Sequence, residues 1–160
     1  MNRLHHLSLN LIMLSLAAFL PLHAKHQHII EGSTMNTSEP YKINITIGDT
    51  ILTATLYDNP TTRDLIALLP LDLTLEDYAA TEKICYLPQK LSQTDAPSGF
   101  DPSVGDITYY APWGNLAIFY KDFGYASGLI SLGKIDHSIE AFNKSGSINV
   151  RIELSESSRR

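Results

Sequence analysis

Apolar and polar residues alternate most cleanly at the two ends of the segment 41–154. Ile43, Ile45 and Ile47 alternate with Asn44 and Thr46; beyond Gly48-Asp49, Leu52, Ala54 and Leu56 alternate with Thr53 and Thr55. Successive side chains of a strand point to opposite faces, so Tyr41 to Tyr57 is expected to form a β-hairpin with one dry and one wet face. Ile148, Val150, Ile152 and Leu154 alternate with Asn149, Arg151 and Glu153 and predict the last strand. Shorter strands are expected at Leu71 to Leu75, at Lys83 to Leu87 with Ile84 and Tyr86 on one side, at Asp106 to Tyr110 and at Leu129 to Ile135. Leu116 to Tyr120 is continuously apolar, which predicts a strand covered on both faces.

The intervals between these runs carry the stop signals. Asn59-Pro60-Thr61-Thr62 opens a short helix: either Asn59 caps it with Pro60 at the first helical position, or Thr61 caps it with Asp64 reaching back. Leu65, Ile66, Leu68 and Leu69 give it an apolar face, and Pro70 ends it. Arg63 and Asp64 read as a solvated first turn. Glu76 to Glu82 is a loop or a turn of helix, and Asp136 to Asn143 a helical turn. Residues 88–104, rich in Pro, Ser, Asp and Gly, read as a long surface excursion and a candidate lid. Seven or eight short strands with one helix favour a mostly β fold, a closed antiparallel β-barrel, over a β-sandwich. The absence of long helices between strands excludes a parallel doubly wound sheet.

Composition narrows the setting. A chain of 160 residues suits one cored domain, and a net charge of −5 argues against nucleic acid as a partner. Met1 to His6 is a polar start containing Arg3, residues 7–22 are uncharged and mostly apolar, and Leu22-His23-Ala24 offers a cleavage site after Ala24. This pattern predicts a secretory signal peptide over 1–24, a linker over 25–40, a barrel domain over 41–154 and a frayed tail over 155–160. The mature protein is then exported, periplasmic or secreted, with no membrane attachment after cleavage. An uncleaved anchor is the weaker reading, since the apolar run falls short of the ~20 residues of a span. Cys85 is the only cysteine, so no internal disulfide can form, and its apolar neighbours suit a buried thiol better than a nucleophile. No HExxH, glycine-rich phosphate loop or clustered ligand set occurs, and no metal or cofactor is expected. His26 and His28 near the new N-terminus are too few to make a metal site by themselves.

Half of the aromatic residues (Tyr 8, Phe 5, Trp 1) fall between positions 109 and 125. Tyr and Trp join apolar area to a polar handle, which suits recognition of a peptide or small ligand. Tyr86, Tyr109, Tyr110, Trp113, Asn115, Phe119 and Tyr120 are the candidate binding set, with Trp113 in its Pro-Trp-Gly-Asn turn the most exposed. The competing reading puts Phe119 and about half of the tyrosines in the core. Asp106 and Glu82 are expected to bond backbone in turns. No residue stands out as catalytic.

Leu69-Pro70-Leu71, Glu82, Tyr86, Gly105-Asp106-Ile107-Thr108-Tyr109-Tyr110, Pro112, Gly114-Asn115, Ile118-Phe119, Gly128 and Leu132-Gly133-Lys134-Ile135 together resemble the bacterial cyclophilin-like domain family, over Tyr41 to Leu154. The resemblance implies a small barrel related in fold to the cyclophilin peptidyl-prolyl isomerases, without implying their activity. The Phe-His-Arg and Gln-Gly-Gly-Asp segments of true cyclophilins have no counterpart, and Glu82 to Pro88 contains no arginine. Prolyl isomerisation must lower a barrier of about 18–20 kcal/mol, chiefly through a donor bonded to the twisting amide. Lys83 or Lys90 would be a poor substitute for a guanidinium. The expectation is an exported cyclophilin-like barrel that binds a peptide or small ligand through its aromatic hairpin. A weak isomerase and a non-catalytic interaction module with a shallow surface are the alternatives.

Overall fold

The computed structural model describes residues 40–158. The expected signal peptide, all but the last residue of the linker, and residues 159–160 of the tail lie outside the described residues. In chain order the elements are β1 (Tyr41–Ile47), β2 (Thr50–Leu56), α1 (Pro60–Leu68), β3 (Leu71–Tyr78), β4 (Glu82–Tyr86), β5 (Gly99–Phe100), β6 (Asp106–Tyr110), β7 (Asn115–Phe119), β8 (Ala126–Ser127), β9 (Leu129–Ile135) and β10 (Ile148–Leu154). Eight strands close into an antiparallel barrel in the order β1-β10-β3-β4-β7-β6-β9-β2, while β5 and β8 pair as a separate ribbon. The alternation read from the sequence sets which side chains turn inward. Ile43 and Ile45, Leu52, Ala54 and Leu56, and Val150 and Ile152 are all buried in the core.

Closure depends on the short seam where Ala54, Thr55 and Leu56 of β2 meet Ile135, Lys134 and Gly133 of β9. Gly133 makes the approach possible, because a Cβ there would lie 2.2 Å from the Thr55 carbonyl oxygen and 2.7 Å from Leu56 Cα. On its other edge β9 is out of step with β6 between Ile107 and Thr108. Such a bulge bends a strand and helps a sheet curl.

The helix uses the first of its two possible caps. Asn59 Oδ1 accepts from the Thr62 amide at 2.8 Å, with Pro60 as the first helical residue. Leu65 then enters the core. Asp64 is no bare solvated residue: it accepts from the Ser92 amide at 2.7 Å, and Thr61 Oγ1 donates to the Ser92 carbonyl at 2.7 Å. Leu91 is buried beside them. These bonds pin the first half of the 88–104 excursion to α1, which a lid would not tolerate. Arg63 is exposed and forks onto Asp58 through Nε at 2.7 Å and Nη2 at 2.8 Å.

Two further expectations change. β3 continues through Tyr78 and pairs with β4, where a loop or helical turn was expected. The reversal at 79–81 has Ala79 and Ala80 at φ 50° and 54°, a left-handed conformation that alanine rarely signals. The tail residues Glu156–Ser158 form a 3₁₀ turn, tied down by Ser158 Oγ accepting from the Lys42 amide at 2.7 Å.

The inward alternation places Lys83 inside the barrel, fully buried. Its cross-strand partner is Asp77 on β3, and its Nζ lies 2.7 Å from Asp77 Oδ1. The same ammonium donates to the carbonyls of Lys144 and, at 2.6 Å, Gly146. Asp77 also accepts from Tyr120 Oη at 3.0 Å and from the Gly146 amide at 2.8 Å. The Lys83 hydrogen bond holds the Asp77 carboxyl below its ordinary range. That contribution to stability is therefore present above about pH 4 and is lost as acid protonates Asp77. Lys83→Met strips a donor from a carboxylate and two carbonyls at once. It is expected to lower the midpoint of urea unfolding; an unchanged midpoint would show that the ammonium does not hold this end closed.

Candidate functional site: an aromatic cavity on the outer face

The outward positions of five neighbouring strands build a floor. Tyr78 of β3 pairs with Glu82 of β4, and Glu82 pairs with Phe119 of β7. In a second row Asn115 of β7 pairs with Tyr110 of β6, and Tyr110 with Leu129 of β9. The turn between β6 and β7 brings Trp113 over both rows: its ring meets Tyr78 at 5.5 Å and 89°, and Tyr110 at 5.4 Å and 76°. That turn is closed by the Trp113 and Gly114 amides donating to the Tyr110 carbonyl at 3.2 and 2.9 Å. Gly114 sits at φ +76°, which favours glycine there. Phe123 tilts toward Phe119 at 6.2 Å on the far side. The β5–β8 ribbon supplies Ala126 and Ser127, held by the Gly128 amide donating to the Ser98 carbonyl at 2.8 Å.

The half-open space is about 320 Å³, lined by Tyr78, Glu82, Tyr110, Trp113, Asn115, Phe119, Phe123, Ala126, Ser127 and Leu129. Tyr78, Trp113 and Phe123 remain 42%, 45% and 47% exposed and form the rim. Among the acceptor groups of the lining, the Glu82 carboxyl and the Asn115 amide oxygen lack partners among the described residues. Glu82 is half-buried with no hydrogen bond or counter-charge among the described residues, and desolvation pushes its carboxyl up to about 7. Asn115 is 2% exposed, yet its Oδ1 accepts no hydrogen bond. A buried polar atom without a partner is uncommon enough to require a reason.

Of the candidate binding set, Tyr110, Trp113, Asn115 and Phe119 come together here. Tyr86 lies on the same outer face opposite Asn115, exposed and outside the lining. Tyr109 must be removed from the surface set: it points into the barrel, fully buried, and its hydroxyl accepts from the Leu91 amide at 3.1 Å. Tyr120 also leaves the set, for its hydroxyl bonds Asp77 at the barrel end. Tyr78, Phe123 and Leu129 were missed because strand pairing and a loop bring them in from elsewhere in the sequence. Glu82 was expected to bond a turn amide and does not. Asp106 behaves as expected, accepting from the Ser103 amide at 2.8 Å.

The other chemical candidates fall away. Lys83 is sealed inside and cannot serve the outer face. Burial pushes the Cys85 thiol up to about 12, which suits packing rather than nucleophilic attack. Among the described residues no group of three or more His, Cys, Asp or Glu side chains is placed to hold a metal ion.

Comparison with known proteins places the fold. The family model described as the Cyclophilin-like family matches residues 45–153. The solution structure of a hypothetical protein from Archaeoglobus fulgidus superimposes with a TM-score of 0.53 at 16% identity, covering 73% of this chain and 96% of that one. No curated protein matches the chain.

Glu82 makes this face pH-sensitive. Its folded pKa stands above the ordinary 4.5, so its proton stabilises the fold fully below about pH 4.5, and that stabilisation is lost as pH rises through about 7. Glu82→Gln removes the term. The variant is expected to gain on the parent in melting temperature between about pH 5 and about pH 8; a constant difference across that range would mean that Glu82 is not desolvated.

Proposed function

The chain belongs to the cyclophilin-like family, and we propose that this member holds a peptide or small ligand in the aromatic cavity on the outer face of its barrel. The observation that carries the reading is a half-open recess with aromatic walls and an unpartnered carboxylate, the usual composition of a ligand site. An interaction module with a shallow surface around Trp113 would not need such a recess. The isomerase reading loses ground, because the lining holds no Arg or Lys to bond a twisting prolyl amide.

Trp113 is the chain's one tryptophan, so its fluorescence reports directly on the cavity. Screening short peptides and small aromatic compounds should yield a binder that shifts that emission and raises the melting temperature. Trp113→Ala, followed by melting temperature, is expected to weaken such a binder by at least about tenfold. Equal thermal shifts in parent and variant would remove the cavity from the binding site.

The proposal includes an exported setting, supported by the uncharged run 7–22 and the small residue at Ala24. Mass spectrometry of the protein recovered outside the cytoplasm is expected to find Lys25 at its N-terminus. Recovery of an intact Met1 form in the cytoplasm alone would sink that part.

A further inference from the structure

The polar groups of the cavity select one kind of ligand. Glu82 presents a carboxylate with nothing bonded to it among the described residues, Asn115 Oδ1 is unbonded but buried from the open space, and no lining residue is Lys, Arg or His. An anion would meet a carboxylate and no cation. A wholly apolar ligand would leave the Glu82 carboxylate unpaired in a drier site than before, which costs free energy. A hard metal ion needs six or more oxygen ligands, and one carboxylate with one amide is far short of that. What remains is a group that is positive, carries N–H donors and sits well beside aromatic rings.

We propose that the cavity takes a protonated amine borne on an apolar body, its ammonium on the Glu82 carboxylate and its body against Trp113, Tyr78, Tyr110 and Phe119. This rests on the ligand-binding reading above and names the ligand class. The ring geometry supports it. Trp113 meets both tyrosines at steep angles, so the three rings form a corner instead of a flat stack. Aromatic faces attract an ammonium by their quadrupole, most strongly where water is excluded. A space of about 320 Å³ suits a single amine-bearing side chain or a ligand of similar size.

Glu82 must be ionised to pair with the ammonium, so binding is linked to pH. The titratable groups facing it are Tyr78 across β3, Tyr110 in the lining and Tyr120 beyond β7, whose ionisation is discouraged by burial first, then by Asp77 and last by the Glu82 charge. Lys83, its neighbour in sequence, points to the opposite face and bonds Asp77. With no cation beside it, the carboxyl stands raised in the empty cavity. Amine affinity should therefore fall as pH drops below about 7.

Benzylamine and benzyl alcohol share size and ring but differ in charge, and Trp113 emission can follow both. At about pH 8 the amine is expected to bind the parent protein at least about tenfold more tightly than the alcohol. Lowering the pH to about 6 should weaken the amine by about tenfold and leave the alcohol unchanged. Glu82→Gln removes a poorly solvated charge and should fold normally, keep alcohol binding, and lose the preference for the amine. Alcohol binding as tight as amine binding, or a preference that survives in Glu82→Gln, overturns the amine assignment and leaves the ligand-binding reading standing. Binding of neither compound also overturns it; the broader reading falls only if the peptide and aromatic screen fails as well.

Discussion

An ammonium enclosed by a barrel wall must find partners for its hydrogens, and the way Lys83 finds them organises one whole end of this molecule. Its three acceptors come from β3 and from the segment just before β10, so one point charge draws together parts of the chain more than 60 residues apart. Asp77 extends the network to Tyr120 beyond β7 and to the Gly146 amide. A buried ion pair is weak evidence of net stability, since desolvation offsets most of the attraction. Its stronger effect is on register. Slipping β4 by one residue would expel the ammonium from its acceptors and turn Glu82 and Ile84 toward the core.

That same alternation separates core from site on neighbouring residues. Tyr109 goes inward, where its hydroxyl supports the loop at Leu91, while Tyr110 goes outward to the cavity. On β7, Leu116 and Ile118 belong to the barrel core, whereas Ala117 and Phe119 pack on the outer side under the β5–β8 ribbon and its flanking loop. The unbroken apolar run at Leu116 to Tyr120 was therefore legible as a strand covered twice. One cover is the barrel interior, and the other is the site. Aromatic density alone could not divide Tyr109 from Tyr110; strict period-two counting along β6 would have done so.

The hairpin of β1 and β2, the last strand, the Asn59-Pro60 helix start and barrel closure were all readable, because each has a local chemical cause. The β3–β4 hairpin was not, since Ala79 and Ala80 reverse the chain in a conformation normally advertised by Gly or Asn. An inward lysine was equally opaque: a charge at a strand position ordinarily means solvent, and only the distant carbonyls of Lys144 and Gly146 make it otherwise. The cavity was legible in part. Trp113, Tyr110, Asn115 and Phe119 cluster in sequence, but Tyr78 and Phe123 join them through pairing and loop closure that no local pattern encodes.

Glu82 and Lys83 make an informative contrast, for they are consecutive charged residues that the strand sends to opposite sides. Lys83 is wholly buried and fully partnered; Glu82 is half-buried and has neither a hydrogen bond nor a counter-charge among the described residues. If Glu82 served only the fold, a neutral side chain of similar size would avoid the desolvation that raises its pKa. Asn115, four residues along β7 from Phe119, the partner of Glu82, also has a buried and unbonded carbonyl oxygen. Uncompensated acceptors in the walls of one aromatic space weaken the folded chain in isolation. Bound by a donor they would cease to do so, and polar groups left unsatisfied in an otherwise well-partnered structure are where function is most economically sought.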